Sequence, residues 1–185
     1  LSAHLTVEVA RDKRIWRQEY AQGNPQCGLT DDGATSNRRG TTITFTPDPE
    51  IFGDVSQFRP AQLYRLARSK AYLFRGVEIR WSCDPELIPD DDDTPTSASL
   101  HFPGGLVDFL KANLENRRTL SAEPFAGQAK LNGGGPASGK VEWAIAWPLD
   151  QEPYISTYCN TVPTPLGGTH DSGMRSGLLR GLKNH

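Results

Sequence analysis

The sequence predicts an α+β protein in two parts, because two kinds of apolar periodicity occur in separate stretches. Apolar and polar residues alternate over Leu5–Ala10 and again over Val141–Trp147, as in strands with one buried face. Phe58–Phe74 and His101–Asn116 instead place apolar residues three and four positions apart, the spacing of an amphipathic helix. Cys83–Ser99, rich in proline and aspartate, separates the two groups. We therefore expect a boundary between two domains within or shortly after this stretch.

The composition is that of an ordinary globular protein. Of 185 residues, 36% are hydrophobic and 23% are charged, and the net charge is −2. Acidic and basic residues occur in both halves, so neither half has the basic surface typical of a stand-alone nucleic-acid binder. The three cysteines form no C-x-x-C pair, which predicts a reducing, cytoplasmic environment, and no apolar run has the length of a membrane span.

The first part is expected to begin with a hairpin. Leu5–Ala10 and Ile15–Tyr20 both alternate, and the charged residues Arg11–Arg14 join them in a turn. Gly23–Arg39 is rich in Gly, Asn, Asp, Ser and Thr and is predicted to be a loop. Gly40–Thr46 is rich in β-branched residues and predicts a third strand.

A helix and a fourth strand are predicted next. The helix over Phe58–Phe74 should end at Gly76, and the alternation that follows predicts a strand over residues 77–81. Cys83–Ser99 is predicted to lack regular structure. Its acidic run, Asp90–Asp93, is interpreted as a solvated loop tip instead of a metal site, because consecutive carboxylates on a loop point in different directions.

In the second part, a helix over His101–Asn116 is followed by two strand candidates. Asn132–Pro136 (NGGGP) has the glycines of a phosphate-binding loop, but it lacks the Gly-Lys-Ser/Thr ending and leads into a strand. A hairpin loop is therefore predicted there. Val141–Trp147 and Tyr154–Val162 are predicted to pair as antiparallel neighbours.

The stretch that follows predicts a tight turn and a helix. Gly167 and Gly168 allow positive φ or a close backbone approach, after which Thr169 or Asp171 is expected to cap the helix. Three glycines recur every fourth residue on one face of that helix, which predicts that another backbone packs closely against it. They are Gly173, Gly177 and Gly181.

The residues alone predict no catalytic residues and no metal ligands. Only one of the four histidines, His170, lies at a position that favours function, the entrance of the predicted helix. The alternative is a turn histidine that satisfies backbone groups. No spacing typical of zinc ligands occurs.

Several stretches resemble a known family. The run NTVPTPLGGTHDSGMRSGLL, Asn160–Leu179, resembles the N-x-I/V-P…GGTH-x-x-G-x-R/K signature of the B subunits of type IIA DNA topoisomerases. Further segments of the family resemble LSAHLTVEVARDKRIWRQEYAQG, RRGTTITFTPDPEIF and FRPAQLYRLARSKAYLFRGVEIRW, so that the likeness covers nearly the whole chain. LARSKAYLFRGVEI and VEWAIAW are closer to the topoisomerase IV branch than to the gyrase branch. A gyrase B fragment remains the first alternative, and a non-enzymatic binding module the second.

The resemblance implies a fold and an activity. Residues 1–95 would be the C-terminal part of a GHKL ATPase domain, and residues 96–185 the first half of a transducer domain with a ribosomal-protein-S5-like fold. The complete protein would be a cytoplasmic, ATP- and Mg²⁺-dependent isomerase that couples ATP hydrolysis to DNA strand passage, relaxation and decatenation. Its implied partners are a topoisomerase A-type subunit in a heterotetramer, DNA, and a second copy bound through the ATPase region.

The resemblance also implies roles for particular residues. Gly40 and Thr41 match the adenine side of the nucleotide site, Ile43 would line the pocket floor, and Arg11 matches an arginine that coumarin-type inhibitors contact. The simpler alternatives are that Gly40 and Thr41 begin a strand and that Arg11 flanks a turn.

A second set of residues is implied to be structural. Gly167, Gly168, Thr169 and His170 would form a junction of the transducer. The family's catalytic glutamate and magnesium-binding asparagine would precede the chain, and the lysine of its Gln-Thr-Lys loop would follow it. We therefore expect a fragment that neither binds ATP tightly nor hydrolyses it.

Overall fold

The computed structural model describes residues 1–53, 57–115, 117–132, 138–150 and 153–184. The chain forms two compact units, Leu1–Arg59 and Pro60–His185. Both contain antiparallel strands and helices, which confirms the predicted α+β class. The predicted domain boundary after residue 95 is a statement about family domains and remains a prediction.

The first unit is a five-stranded antiparallel sheet. Its central strand, β1 (Ser2–Arg11), pairs with β2 (Arg14–Ala21) on one side and β5 (Gly40–Pro47) on the other. Two short strands, β3 (Asn24–Pro25) and β4 (Thr30–Ala34), pair with the far edge of β2. The predicted hairpin and third strand are confirmed.

A two-residue turn sets the register of the β1–β2 hairpin. Asp12 and Lys13 have φ values of 52° and 61°, so both central residues are in the left-handed region, as in the type I′ turns that match strand twist. Arg11 consequently lies directly opposite Arg14. The hairpin is therefore continuous to its tip.

The prediction of a loop over residues 23–39 is wrong in part, because β3 and β4 lie within it. Strand β4 is polar, but its backbone pairs with the open edge of β2, which a local pattern does not show. Two side-chain contacts secure it. Asp31 accepts a hydrogen bond from the backbone N–H of Gly33 and forms an ion pair with Arg14.

A short helix, α1 (Pro49–Phe52), follows β5. Asp48 caps it by accepting a hydrogen bond from the backbone N–H of Glu50 at 3.0 Å. The Asp48 side chain is buried and also accepts from Gln22, while its own N–H donates to the carbonyl of Leu1. One aspartate thus joins the helix to the start of β1 and the end of β2, which lie at the same end of the sheet.

The second unit begins with α2 (Pro60–Leu73), β6 (Glu78–Ser82), β7 (Ser97–His101) and α3 (Leu106–Leu114). The two predicted helices and the strand after Gly76 are confirmed. The prediction that residues 83–99 lack regular structure is wrong at both ends. A 3₁₀ turn forms at Pro85–Leu87, and β7 begins at Ser97 and pairs with β6.

Two hairpins and a helix complete this unit. β8 (Phe125–Asn132) pairs with β9 (Ser138–Ile145), which confirms the predicted hairpin, although residues 133–137 of its loop lie outside the described residues. β10 (Tyr158–Cys159) and β11 (Val162–Pro163) form a small hairpin, and α4 (Thr169–Lys183) follows.

The predicted pairing of residues 154–162 with residues 141–147 is wrong. Strand β9 pairs with β8, and Tyr158–Cys159 pairs locally with Val162–Pro163. The reason lies in Asn160 and Thr161, whose φ values of 48° and 68° form a tight turn that folds the strand back on itself.

The best-buried part of the second unit surrounds α2. Ala71 is fully buried and Tyr72 is 3% exposed, with its ring stacked on Phe109 at a centroid distance of 3.7 Å. Leu100 and Leu114 are also buried. Among the described helices, none combines the length and the apolar character needed to cross a membrane.

Candidate functional site

Three of the predicted nucleotide-site and inhibitor-site residues lie on one face of the first unit's sheet. Alternate residues of a strand share a face, so Val7, Val9 and Arg11 point to the same side of β1. Val7 lies opposite Ile43 in β5. Val9 lies opposite Thr41. Residues directly opposite each other also share a face, so Arg11, Thr41 and Ile43 lie together although they are far apart in sequence.

This face is apolar and partly uncovered within the unit. Ile43 is 60% exposed, while Val7 and Val9 on the same face are half-buried. Phe45 continues the apolar strip and meets the edge of the Phe58 ring at a centroid distance of 5.5 Å. The strip is therefore a flat apolar surface with a hydroxyl, that of Thr41, near one end.

Arg11 lies at the end of this strip next to the turn. Its side chain is 80% exposed, and its described ion pair is with the adjacent Asp12 at 3.6 Å. An exposed pair of this kind contributes little to stability. The guanidinium is thus not fixed by the sheet and can reorient.

The opposite face of the same strands is polar. Arg38 donates to Glu8 at 3.3 Å and to the Thr42 hydroxyl at 2.9 Å, and Glu8 and Thr42 are paired across β1 and β5. Gly40 lies opposite Ala10 at the end of this face, and its φ of 113° is one that favours glycine. The sheet therefore has one face suited to water and one suited to apolar contact.

At the far edge of the sheet, the hydrogen bond from the Arg14 guanidinium lowers the pKa of Asp31 below its usual value. The bond from Gly33 acts in the same direction. This carboxylate therefore stays charged to a lower pH than an isolated aspartate would, and its contacts hold β4 in place.

The four predicted junction residues lie together in the second unit, where the chain enters α4. Gly167 has a φ of 75°, and a Cβ at this position would lie 3.1 Å from Oδ2 of Asp171. A Cβ at Gly168 would lie only 2.9 Å from Cε1 of His170. Gly167 is therefore favoured by its backbone conformation, whereas a side chain at Gly168 would require the ring of His170 to shift.

His170 makes a specific contact at this junction. Its Nε2 lies 3.1 Å from the hydroxyl of Thr164, which is hydrogen-bonded to the hydroxyl of Thr157 at 2.7 Å. Thr157 and Thr164 are also joined by a backbone hydrogen bond of 2.9 Å. The histidine thus ties the first turn of α4 to the base of the β10–β11 hairpin.

The predicted helix cap is wrong. Gly168 occupies the cap position, and neither Thr169 nor Asp171 caps through its side chain. Asp171 instead accepts from Arg175 one turn later, at 2.9 Å. The hydroxyl of Ser172 bonds the carbonyl of Gly168 at 3.1 Å.

The prediction of a close backbone against the glycine stripe is also wrong within the described residues. A Cβ added at any of the three glycines would have no atom within 4 Å. Helix α4 has no buried residue, and Leu182 is 61% exposed. Within the described part of this chain, the stripe faces open space.

Sequence reasoning missed a set of contacts between α2 and the β10–β11 hairpin. The Lys70 ammonium donates to the carbonyl of Thr161 at 2.7 Å and to its hydroxyl at 3.0 Å. The hydroxyls of Tyr72 and Tyr158 are also hydrogen-bonded. Burial, followed by this bond, raises the pKa of Tyr72 far above its usual value, so the phenol stays neutral. A lysine in an amphipathic helix gives no signal for such a partner.

No metal centre is assembled by the described residues, since three or more His, Cys, Asp or Glu side chains do not meet anywhere among them. An open groove of about 360 Å³ lies beside the junction and is lined among others by Tyr158, Leu166 and Arg175.

Comparison with known proteins places this fold in a family. The family model described as DNA gyrase B matches residues 105–185. The B subunit of DNA topoisomerase 4 from Bartonella bacilliformis is 48% identical over 183 residues, covering 99% of this chain and 26% of that protein. The corresponding protein of Caulobacter vibrioides is 48% identical over 187 residues, with the same coverage of both chains.

A solved structure has the same fold. The 43K ATPase domain of Thermus thermophilus gyrase B, solved in complex with an aminocoumarin, superposes with a TM-score of 0.75 at 28% identity. The superposition covers 100% of this chain and 47% of that one.

The fold, the GGTH signature and the similarity to these proteins show that the chain belongs to the family of B subunits of type IIA DNA topoisomerases. Within that family, the two bacterial relatives above are both B subunits of topoisomerase IV, which confirms the branch indicated by the sequence. The chain spans about a quarter of the length of these relatives.

Proposed function

We propose that this chain is part of the ATPase and transducer region of a topoisomerase IV B subunit. The complete protein would couple ATP binding and hydrolysis to DNA strand passage, relaxation and decatenation. The observation that supports this most strongly is the 48% identity to the Bartonella protein over nearly the whole chain. Residues 1–95 would be the end of the GHKL ATPase domain, and residues 96–185 the first half of the transducer.

The apolar sheet face fits one side of a nucleotide base. A planar base packs well on an apolar surface such as the one that Ile43 provides, and the Thr41 hydroxyl can hydrogen-bond to its polar edge. Gly40, next to Thr41, lets the backbone approach closely. In the complete protein ATP with Mg²⁺ would supply the free energy for strand passage, and these residues would hold its adenine side.

Arg11 is proposed as an inhibitor contact. It lies on the same face as Thr41 and Ile43, and its mobile guanidinium can reach a molecule seated beside them. The Thermus gyrase B domain, which shares this fold, was solved with an aminocoumarin. Binding of an aminocoumarin should therefore weaken when Arg11 is replaced.

The proposed partners are those of the family. A topoisomerase A-type subunit would complete the heterotetramer, DNA would be the substrate, and a second copy would dimerise through the ATPase region. Three free cysteines and the family's work on DNA support a cytoplasmic location.

Decatenation tests the proposal directly. The complete B subunit that contains this chain is combined with its A-type partner, ATP and Mg²⁺, and offered interlinked DNA circles and relaxed circles. Separation of the interlinked circles without negative supercoiling supports topoisomerase IV. Negative supercoiling would support the gyrase alternative, which the family model's description favours. ATP-independent behaviour, or no change in either DNA, would overturn both.

The 185-residue chain by itself is proposed to be inactive as an ATPase. It covers less than half of the solved ATPase domain, and its adenine-side residues lie on an uncovered face. A phosphate-release assay with the purified chain should show no turnover above buffer. Measurable turnover that follows protein concentration would contradict this.

A further inference from the structure

Helix α2 holds the β10–β11 hairpin through two side chains, and we call this pair of contacts the latch. Lys70 reaches Thr161 in the hairpin turn, and Tyr72 reaches Tyr158 in its first strand. The partners are 91 and 86 residues away in sequence. The proposed function assigns α2 to the ATPase domain and the hairpin to the transducer, so these bonds cross from one to the other.

The hairpin turn needs an external contact. Thr161 is β-branched and has a φ of 68°, a conformation in which such a side chain is strained. Strained backbone persists only where the surroundings hold it, and the Lys70 ammonium bonds both oxygen atoms of this one residue. Bonds from a charged donor are stronger than neutral ones, so Lys70 is well suited to fix the turn.

Tyr72 fixes the other half of the hairpin. Its ring is held between Phe109 at 3.7 Å and Phe102 at 6.2 Å, and its hydroxyl meets that of Tyr158. Because the ring is 3% exposed, it has little freedom to follow the hairpin by changing rotamer. A displacement of α2 therefore displaces Tyr158.

The hairpin is joined in turn to α4. Thr157 and Thr164 close its base with a backbone bond and a hydroxyl bond, and Thr164 contacts His170 in the first turn of the helix. Hydrogen bonds thus connect α2 to the hairpin and the base of the hairpin to the glycine-striped helix, with the paired strands of the hairpin between them.

We propose that Lys70 and Tyr72 are positioning residues that couple nucleotide turnover to strand passage by fixing the hairpin to α2. Their described contacts are with the hairpin and with neighbouring side chains, and their effect is to make α4 follow α2. This inference rests on the proposed function. A merely structural role predicts instead that both activities fall together when the latch is broken.

The test uses the complete B subunit with its A-type partner and compares ATP hydrolysed per DNA link removed. Lys70→Met keeps most of the apolar stem and removes the charge-assisted bonds. We expect ATP hydrolysis to remain within about twofold of the original and decatenation to fall about tenfold, the change that loss of one such bond produces. Arg65→Met is the matched control, because the hydrogen bond that Arg65 makes among the described residues stays within α2, to the carbonyl of Ala61. The amount of ATP hydrolysed per DNA link removed should not change in this variant.

Tyr72→Phe provides a second variant that keeps the ring stacked on Phe109 and removes the hydroxyl. This variant should raise the amount of ATP hydrolysed per DNA link removed, by a smaller factor than Lys70→Met does. If both variants lower ATP hydrolysis and decatenation in equal proportion, or leave the ratio unchanged, the coupling role is overturned.

Hydrogen exchange of the same complete proteins separates this inference from the proposed function. Peptides covering residues 157–170 should exchange faster in Lys70→Met than in the original and in Arg65→Met. Unchanged exchange would overturn the latch itself. This readout needs no topoisomerase activity, so an inactive original protein would count against the proposed function alone.

Discussion

Helices α2 and α4 belong to the same compact unit and have 14 and 15 residues, yet their surroundings are opposite. Helix α2 buries Ala71 and Tyr72, whereas α4 has no buried residue and leaves Leu182 exposed. Residue spacing predicts both helices, and both are helical. Helical spacing therefore identifies a face that can be buried, while burial itself depends on which other parts of the chain pack against that face.

The largest difference between the two helices is expected when one side chain in each is truncated to alanine. Tyr72→Ala removes a ring that is 3% exposed and packed on Phe109, so the free energy of unfolding should fall by about 3–5 kcal/mol. Leu182→Ala in α4 should change it by less than about 0.5 kcal/mol. Urea unfolding followed by tyrosine and tryptophan fluorescence measures both. Equal effects would show that α4 is as well packed as α2.

Glycine substitutions sharpen the comparison within α4. Gly177→Ala introduces a methyl group into open space on a helix, which should raise the free energy of unfolding of the helix by about 1 kcal/mol. Gly168→Ala should instead destabilise the junction, because its Cβ would meet the His170 ring at 2.9 Å. Far-ultraviolet circular dichroism during unfolding compares the two. Destabilisation by Gly177→Ala would reveal a backbone packed on the stripe.

Two arginines give a smaller contrast. Arg75, just beyond the end of α2, bonds Glu142 in β9, whereas Arg175 bonds Asp171 within α4. The Arg75 side chain is about half exposed and that of Arg175 is 61% exposed, so Arg75→Met and Arg175→Met should each cost no more than about 1 kcal/mol. Arg75→Met should also raise the rate of hydrogen exchange in β9, whereas Arg175→Met should raise it only in α4. An effect of Arg175→Met on hydrogen exchange in β9 would contradict the view that the Arg175–Asp171 pair acts only within α4.

The smallest expected effect is the pH dependence contributed by Glu78 in β6. Hydrogen bonds from Arg80 and Ser99 lower its pKa in the folded state. Its contribution to stability is therefore present above the pKa of the unfolded chain and is lost as the pH falls through the lowered folded value. Glu78→Gln should slightly flatten the loss of stability between neutral pH and about pH 3, with the nearby Glu86→Gln as the control. Identical pH profiles for the two variants would contradict this.

The pattern of apolar and glycine residues in short stretches predicts most of the strands and helices. Alternation over β1, helical spacing over α2 and the glycine pair before α4 are properties of a few adjacent residues. Strand β4 cannot be predicted in this way, because its pairing with β2 is made by backbone hydrogen bonds and does not depend on the pattern of its side chains. The β10–β11 hairpin cannot be predicted in this way either, because Asn160 and Thr161 form its turn at positive φ although neither is a glycine.

The candidate sites are less accessible to such reasoning. Thr41, Ile43 and Arg11 are indicated by a family resemblance, and their common face follows from the β1–β5 register, which no local pattern specifies. Lys70 has no sequence signal because its partner Thr161 is 91 residues away. Long-range partners of ordinary side chains leave no trace in periodicity.

The central position of β1 has a consequence for how this hairpin can vary in evolution. Because β1 is paired along both sides, a one-residue deletion between Leu5 and Val9 would shift one end of the strand relative to both neighbours and exchange its two faces there. Arg11 would then leave the side of the sheet that carries Thr41 and Ile43. Length changes in this protein's relatives are therefore expected in the loop between β2 and β5, while the length of β1 stays constant.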